Sequence, residues 1–160
     1  MRGTMAWALV TGLLVGCASK PPHQGKSVEE LERMLADPNP RVQVQGAYGL
    51  AALGTGAAPA VPTLTRALKA EDALVRQQVA VALGEIGPEA GSAAPNLVVA
   101  LSDSEWQVRR QAAVALGQIG PTARQAANDA LTRCLRDSHH LVRRAATEAL
   151  PKLRESGAGK

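Results

Sequence analysis

The sequence predicts an all-α fold, an α-solenoid of about four helical hairpins, and three observations support it. The segment Glu105 to Pro121 recurs thirty-three residues earlier at 72–88, again at 39–55, and thirty-four residues later at 139–153. A fixed period of this length is typical of stacked repeats. Within each copy, apolar or small residues follow the 3.6-residue period of one helix face, and in two copies a Gly-Pro pair ends that helix.

Each repeat begins with a long helix whose buried stripe is marked by a valine and, eight residues later, a leucine. A shorter helix follows, marked by two leucines four residues apart, with a one-residue insertion in the last copy. Counting back one period predicts a leading half-unit over Ser27 to Ala36. The anchors are Val42, Val75, Val108 and Val142; Leu50, Leu83, Leu116 and Leu150; and Leu64/Leu68, Leu97/Leu101 and Leu131/Leu135.

The first residues have a different character from the repeats. Arg2 precedes an apolar stretch, Met5 to Gly16, that is too short to span a bilayer, which is typical of a secretory signal. The sequence Leu-Val-Gly-Cys at its end resembles the lipobox of bacterial lipoproteins. That resemblance implies cleavage before Cys17, lipidation of Cys17 and, with Ala18 next, a cell-envelope lipoprotein at the outer membrane facing the periplasm.

These features divide the chain into four parts. Residues 1–16 form the predicted signal peptide, and residues 17–26 the lipidated cysteine and a flexible Pro/Gly tether. The solenoid is predicted over 27–153, and a disordered tail over 154–160. Two acyl chains would hold such a protein on a membrane, because each buried CH₂ contributes about 0.8 kcal/mol.

The repeat itself resembles a known family. The sequence DSEWQVRRQAAVALGQIG, Asp103 to Gly120, is similar to HEAT repeats, in particular the short bacterial kind grouped with phycobilin-lyase repeats. The resemblance implies a right-handed superhelical stack that acts as a scaffold. It also implies that an arginine one residue after the anchor valine pairs with acidic groups of the turns, which predicts a structural ladder of Arg76, Arg109, Arg143, Asp103 and Asp137. A ligand-binding role for these arginines is the alternative.

The helix geometry also predicts which residues face away from the core. The second and sixth residues after each anchor valine project opposite to the buried stripe, and in HEAT repeats the long helices line the concave side. An apolar row there favours a protein or peptide partner, while Trp106 either joins that surface or packs over the loop between units. The predicted partner-binding residues are Val44, Tyr48, Val81, Trp106, Arg110, Val114 and Arg144.

Charge is divided between the two halves of the solenoid. Residues 27–105 carry five Lys/Arg and ten Asp/Glu, a net of −5, whereas residues 106–154 carry nine and three, a net of +6. The sequence pI of about 9.5 is typical of nucleic-acid binders, but only one half is basic and aromatic residues are nearly absent. We therefore expect no nucleic acid, and instead an acidic protein or peptide partner or head-to-tail association of two copies.

The residue pattern favours a binding scaffold over an enzyme. Three histidines, His23 and the adjacent pair His139 and His140, lack the spacing of a metal site, so no metal or cofactor is expected. Cys134 takes the place of alanines in the other short helices, which predicts a buried thiol. The alternative function, implied by the phycobilin-lyase resemblance, is a HEAT-like lyase or cofactor-handling subunit.

Overall fold

A computed structural model describes residues 23–154, and throughout this range the regular structure is helical. Long and short α-helices alternate along the chain, and 3₁₀ segments at Gly54–Ala60, Gly87–Ala93 and Gly120–Ala123 follow the first three long helices. The predicted leader and Cys17 lie outside the described residues. The helices are α1 Val28–Leu35, α2 Pro40–Leu53, α3 Val61–Ala67, α4 Ala73–Ile86, α5 Ala94–Ala100, α6 Trp106–Ile119, α7 Arg124–Cys134 and α8 His140–Lys152.

The four long helices, α2, α4, α6 and α8, pack side by side in one layer, each on the next. The short helices form a second layer, and each packs on the long helix that follows it. Neither layer can bury its apolar stripe alone, so the stack is stabilised between neighbouring units. The all-α solenoid predicted from the sequence is confirmed.

Pairing within the units differs from the sequence-based prediction. The segment over Ser27 to Ala36 was expected to be a leading half-unit, but α1 packs directly on α2 and completes a hairpin. The four hairpins are therefore α1–α2, α3–α4, α5–α6 and α7–α8. The Gly-Pro connections separate hairpins instead of joining the helices within one, because the 3₁₀ segment after each of them spans the distance to the next unit.

Local sequence explains where the long helices begin and end. The side chains of Asn39, Asp72 and His139 cap α2, α4 and α8 by accepting hydrogen bonds from main-chain N–H groups of the first turn. Gly87 and Gly120 end α4 and α6 with φ angles of 76° and 69°. Such positive angles strain any residue with a Cβ atom, which accounts for the repeated glycine.

The core is a continuous band of alanine, leucine, valine and isoleucine. The anchor valines Val75, Val108 and Val142 are fully buried, as are Leu83 and Leu116. Alanines between the long helices allow close approach. At Gly117 this approach is extreme, because a Cβ atom there would lie 2.9 Å from the Cα and Cβ atoms of Ala149 on α8.

Three predicted anchors are less buried than their equivalents, all near the ends of the stack. Val42 in the first unit and Leu150 in the last are half-buried. Leu135, expected to be a core residue of the last short helix, lies one residue beyond the end of α7 and is exposed. Within residues 23–154 no further unit covers these positions, so the repeat pattern alone overstated their burial.

The part of the predicted tether that is described is not free of the solenoid. Residues 23–25 form a turn, and the His23 ring lies 4.7 Å from the Tyr48 ring on α2, centroid to centroid. The Lys26 N–H donates to the His23 carbonyl at 3.3 Å, immediately before Ser27 caps α1. His23 therefore contacts α2, and the flexibility of the tether over 17–26 stays a prediction.

Candidate interaction surface

Bidentate ion pairs connect successive units. Arg76 on α4 donates through Nε to Asp103 Oδ2 at 2.7 Å and through Nη2 to Asp103 Oδ1 at 2.9 Å. Its third nitrogen, Nη1, donates to the carbonyls of Ala70 and Glu71. Arg109 on α6 repeats this geometry with Asp137, at 2.8 and 3.0 Å. All four side chains are mostly shielded from solvent, so these arginines hold neighbouring units together.

The charges of these pairs are mutually stabilised. The Arg76 hydrogen bond holds the pKa of the Asp103 carboxyl below its ordinary value, against the opposing effect of burial. The Arg109 hydrogen bond lowers the pKa of Asp137 in the same way. Each carboxylate also accepts a main-chain N–H two residues later, from Glu105 and His139 respectively. The acidic residues thus shape the turn and bind the preceding unit at once.

The ladder is absent between the first two units. One period before Arg76 stands Gln43, and one period before Asp103 stands Ala70. Both partners of the ion pair are therefore replaced together, and Gln43 keeps only the main-chain bond, from Nε2 to the Asp37 carbonyl at 2.7 Å. A side-chain bond from Thr63 to Glu32 connects α3 with α1 instead.

Arg143, the third predicted ladder arginine, occupies the end of the series. Its Nη1 donates to the carbonyls of Asp137 and Ser138, as in the other units. Its side chain is exposed, and no carboxylate among residues 23–154 forms an ion pair with it. Asp72 belongs to a different position, since its carboxylate caps α4 instead of pairing with an arginine.

The predicted partner-binding residues lie along the face of the long helices that points away from the short helices, which we call the open face. Tyr48 on α2 is 53% exposed, and Arg110 and Arg144 are also exposed. The valines of the row, Val44, Val81 and Val114, are half-buried. They contribute apolar area between the protruding residues, so the open face is mixed in character, apolar toward α2 and basic toward α8.

Trp106 contacts the neighbouring unit. Its indole stacks on the His139 ring at 3.8 Å between centroids, with the planes inclined by only 5°. Burial, followed by the nearby His140, lowers the pKa of His139. The neutral ring also caps α8, because its Nδ1 accepts from the Leu141 N–H at 3.3 Å. Trp106 is half-buried, so its role is first to fill the groove between α6 and α8.

The equivalent groove between α2 and α4 is open. Proline stands at Pro40 where α6 has Trp106, and Asp72 stands where α8 has its capping histidine. The resulting cavity has a volume of about 320 Å³. Its apolar wall includes Leu74, which is 64% exposed. The cavity is lined by Pro40, Arg41, Val44, Gln45, Asp72 and Leu74.

Sequence reasoning missed this groove. Leu74 directly precedes the anchor Val75, so it was not assigned to the second or sixth position that defined the predicted row. A partial signal was present, because the equivalent positions Arg41 and Gln107 are polar, although Leu141 in α8 is also a leucine. The groove itself depends on the spacing of two helices, which the repeat pattern does not provide.

The basic part of the open face is supplied by two arginines of successive units. Arg144 donates to Glu148 at 2.7 Å, an exposed pair one helical turn apart that raises the pKa of Arg144. Arg110 donates to the side-chain oxygen of Gln111 at 3.1 Å and has no carboxylate within bonding distance among residues 23–154. Arg110 is therefore the more available cation for an acidic partner.

The remaining candidate residues are separated from this face. Cys134 is buried in α7, and burial raises the pKa of its thiol, which disfavours the reactive thiolate. Across residues 23–154, His, Cys, Asp and Glu side chains do not gather into a group able to hold a metal ion. Within the same range, none of the helices is both long enough and apolar enough to cross a bilayer.

The C-terminal end of the stack differs from the internal interfaces. Where Ala80 and Ala113 are buried against the next long helix, α8 has exposed Thr147. Where α6 has Gly117, α8 has Pro151. A polar outer face of this kind is typical of capping repeats. It does not favour a second copy stacking on α8 in the register of the internal units.

Comparison with known proteins agrees with this architecture. A family model for HEAT repeats matches residues 28–98 and 94–158, which together include most of the chain. The chain belongs to the HEAT-repeat family. HEAT repeats form scaffolds suited to protein interaction.

Solved structures also resemble the HEAT-repeat chain. Two are engineered proteins from the Northeast Structural Genomics Consortium, each 27% identical to the chain over 79% of its length, with TM-scores of 0.65 and 0.67. The chain spans 62% of the first and 37% of the second, so the similarity supports the fold of the repeats. No curated protein matches the chain.

Proposed function

We propose that this protein is a lipid-anchored, non-enzymatic scaffold that binds a protein or peptide partner on the open face of its long helices. The observation that carries the proposal is the exposed apolar surface of that face, where Tyr48 and Leu74 are both more than half exposed. A face with no partner would gain solubility from polar residues at these positions. Its basic half, with Arg110, would attract an acidic partner.

The membrane anchor in this proposal comes from the sequence. The lipobox resemblance at Leu14 to Cys17 supports lipidation of Cys17, and Ala18 supports sorting to the outer membrane, with the solenoid in the periplasm. The test is incorporation of labelled palmitate in a bacterial host, with fractionation of its membranes. Cys17→Ala should abolish labelling and release the protein from the membrane fraction. Equal labelling of both proteins would reject the anchor.

The arrangement of polar groups favours binding over catalysis. The exposed cations of the open face are distributed over three helices, with Arg41 on α2, Arg110 on α6 and Arg144 on α8, and of these only Arg41 lines the groove between α2 and α4. Acid–base chemistry on a cofactor needs groups within hydrogen-bonding reach of one reacting atom. We therefore prefer the scaffold to a lyase or cofactor-handling subunit.

The test of the binding surface is co-purification of partners from solubilised membranes. The full-length protein is compared with a Tyr48→Ala, Trp106→Ala, Arg110→Ala triple variant, and both are checked for equal helicity by circular dichroism. Loss of Trp106 removes its stack on His139, so a Tyr48→Ala, Arg110→Ala double variant provides the check if the triple variant unfolds. Partners retained by a folded variant would reject this surface.

A further inference from the structure

The open groove between α2 and α4 suggests what kind of partner the open face takes. Its apolar wall, formed by Pro40, Val44 and Leu74, lies between two charged groups, Arg41 and Asp72. A cavity of about 320 Å³ is at the small end of the range for ligand pockets, about 300–1,000 Å³. It is large enough for one apolar side chain, with polar groups at its rim for the adjoining main chain.

The three internal interfaces are not equivalent in this respect. The groove between α6 and α8 is filled by the stacked rings of Trp106 and His139. The interface between α2 and α4 lacks both that stack and the arginine ladder, because Gln43 and Ala70 replace its members. The chain therefore leaves one apolar opening at the acidic end of the solenoid and closes its counterpart at the basic end.

Arg41 lines the groove itself, and the next exposed cation on the same face, without a carboxylate partner among residues 23–154, is Arg110 on α6. Packed helices lie about 8–10 Å apart, so Arg110 is about one and a half helix spacings, roughly 12–15 Å, from the centre of the groove between α2 and α4. An extended peptide advances about 3.3 Å per residue, so that distance corresponds to about four residues. Half-buried Gln77 on α4 stands between the two points, and its amide can both donate to and accept from a peptide main chain.

We propose that the partner is an extended peptide segment that crosses the long helices, with an apolar side chain in the groove beside Leu74 and an acidic residue about four positions away at Arg110. This inference rests on the proposed function and specifies its ligand. The charge distribution favours this direction of the peptide across the helices, because the half of the solenoid from residue 106 onward carries a net charge of +6. The apolar end of the peptide therefore binds between α2 and α4, and its acidic end binds at α6.

The experiment selects binders from a random nine-residue peptide library displayed on phage, using the purified full-length protein. Enriched sequences are synthesised with a fluorophore, and their affinity is measured by fluorescence polarisation. We expect an apolar and an acidic residue about four positions apart. Leu74→Ser should weaken binding by about tenfold or more, the effect of losing one hot-spot contact.

Two further variants define the outcome. Arg110→Ala should weaken binding about two- to fivefold, as expected for an exposed ion pair, and should reduce its salt dependence. Val99→Ser is the matched control, because Val99 is 71% exposed on α5, in the layer of short helices. It should leave the affinity unchanged, and it shows that removing an exposed apolar side chain does not itself impair the fold.

Other results would overturn the proposal in distinguishable ways. Binding that is lost in the Tyr48/Trp106/Arg110 triple variant but retained by Leu74→Ser would reject the groove and keep the open face. Binding that depends on Val99 instead would reject both. A library that yields no binder, or a Leu74→Ser variant that alters sedimentation of the protein without peptide, would reject an extended peptide as the occupant, the latter in favour of a second copy.

Discussion

The ion pair between Arg76 and Asp103 should contribute strongly to the stability of the solenoid, and a double-mutant cycle would measure its contribution. The perturbations are Arg76→Ala, Asp103→Ala and the two combined. Two short hydrogen bonds join the side chains, at 2.7 and 2.9 Å, and the side chains are only 15% and 12% exposed. Solvent therefore cannot fully replace either partner after the other is removed.

The magnitude follows from these contacts. Arg76→Ala also removes its hydrogen bonds to the carbonyls of Ala70 and Glu71. A hydrogen bond to a charged group contributes about 1.5–3 kcal/mol, and removal of one partner from a buried pair costs about 3–5 kcal/mol. Because this pair retains some exposure, we expect each single substitution to lower the free energy of unfolding by about 2–3 kcal/mol, with a coupling energy of about 1–2 kcal/mol.

The assay is urea unfolding followed by circular dichroism, and the chain contains its own control. Arg144 and Glu148 form a pair with the same 2.7 Å distance, but their side chains are 75% and 56% exposed. An exposed pair one helical turn apart contributes much less than a shielded one, because solvent screens both charges. If the coupling energy of Arg76 and Asp103 is no larger than that of Arg144 and Glu148, the ladder does not hold the units together.

Three other outcomes are expected. Leu83→Ala should lower the free energy of unfolding by about 2–5 kcal/mol. Leu74→Ala, at an exposed position of the same helix, should change it by less than about 0.5 kcal/mol. Equal urea midpoints for the two variants would contradict the core assignment. Asp103 and Asp137 have folded pKa values below their ordinary range, so they stabilise the fold above about pH 4 and lose this effect as the pH falls further. Replacing both with Asn should therefore make the urea midpoint less dependent on pH between about pH 6 and pH 2. Cys134, whose thiol pKa is raised by burial, should react with a thiol reagent far more slowly in the native protein than in urea; equal rates would place it at the surface.

Much of the architecture could be predicted because the same spacing of apolar residues recurs in each repeat. The valine and leucine spacing identified the buried stripe of the long helices, and the positive φ of Gly87 and Gly120 agrees with their predicted place after a helix end. Units at the ends of the stack were predicted less well. Leu135 occupies a core position in the sequence pattern, yet it is exposed, because burial requires a neighbour that the pattern does not contain.

The candidate surface likewise includes features that the sequence predicted and features that it did not. Helical geometry predicted that Tyr48 and Arg110 point away from the core, and both side chains are exposed. Their role in binding a partner stays a prediction. The groove beside Leu74 was not predicted, nor was the stack of Trp106 on His139 that closes its counterpart. Both depend on how far apart two helices lie and which side chain enters the space between them.

The sequence by itself determined the period, the glycines that end two of the long helices, and the solenoid, because these follow from local spacing and from glycine and proline residues that act within one turn. Only the tertiary structure decided which short helix pairs with which long one, which aspartate each ladder arginine binds, and which groove stays open. These features join residues one or more repeats apart, as in the pair of Arg76 and Asp103. Their energy comes from packing and desolvation between units, which the sequence of any one repeat does not contain.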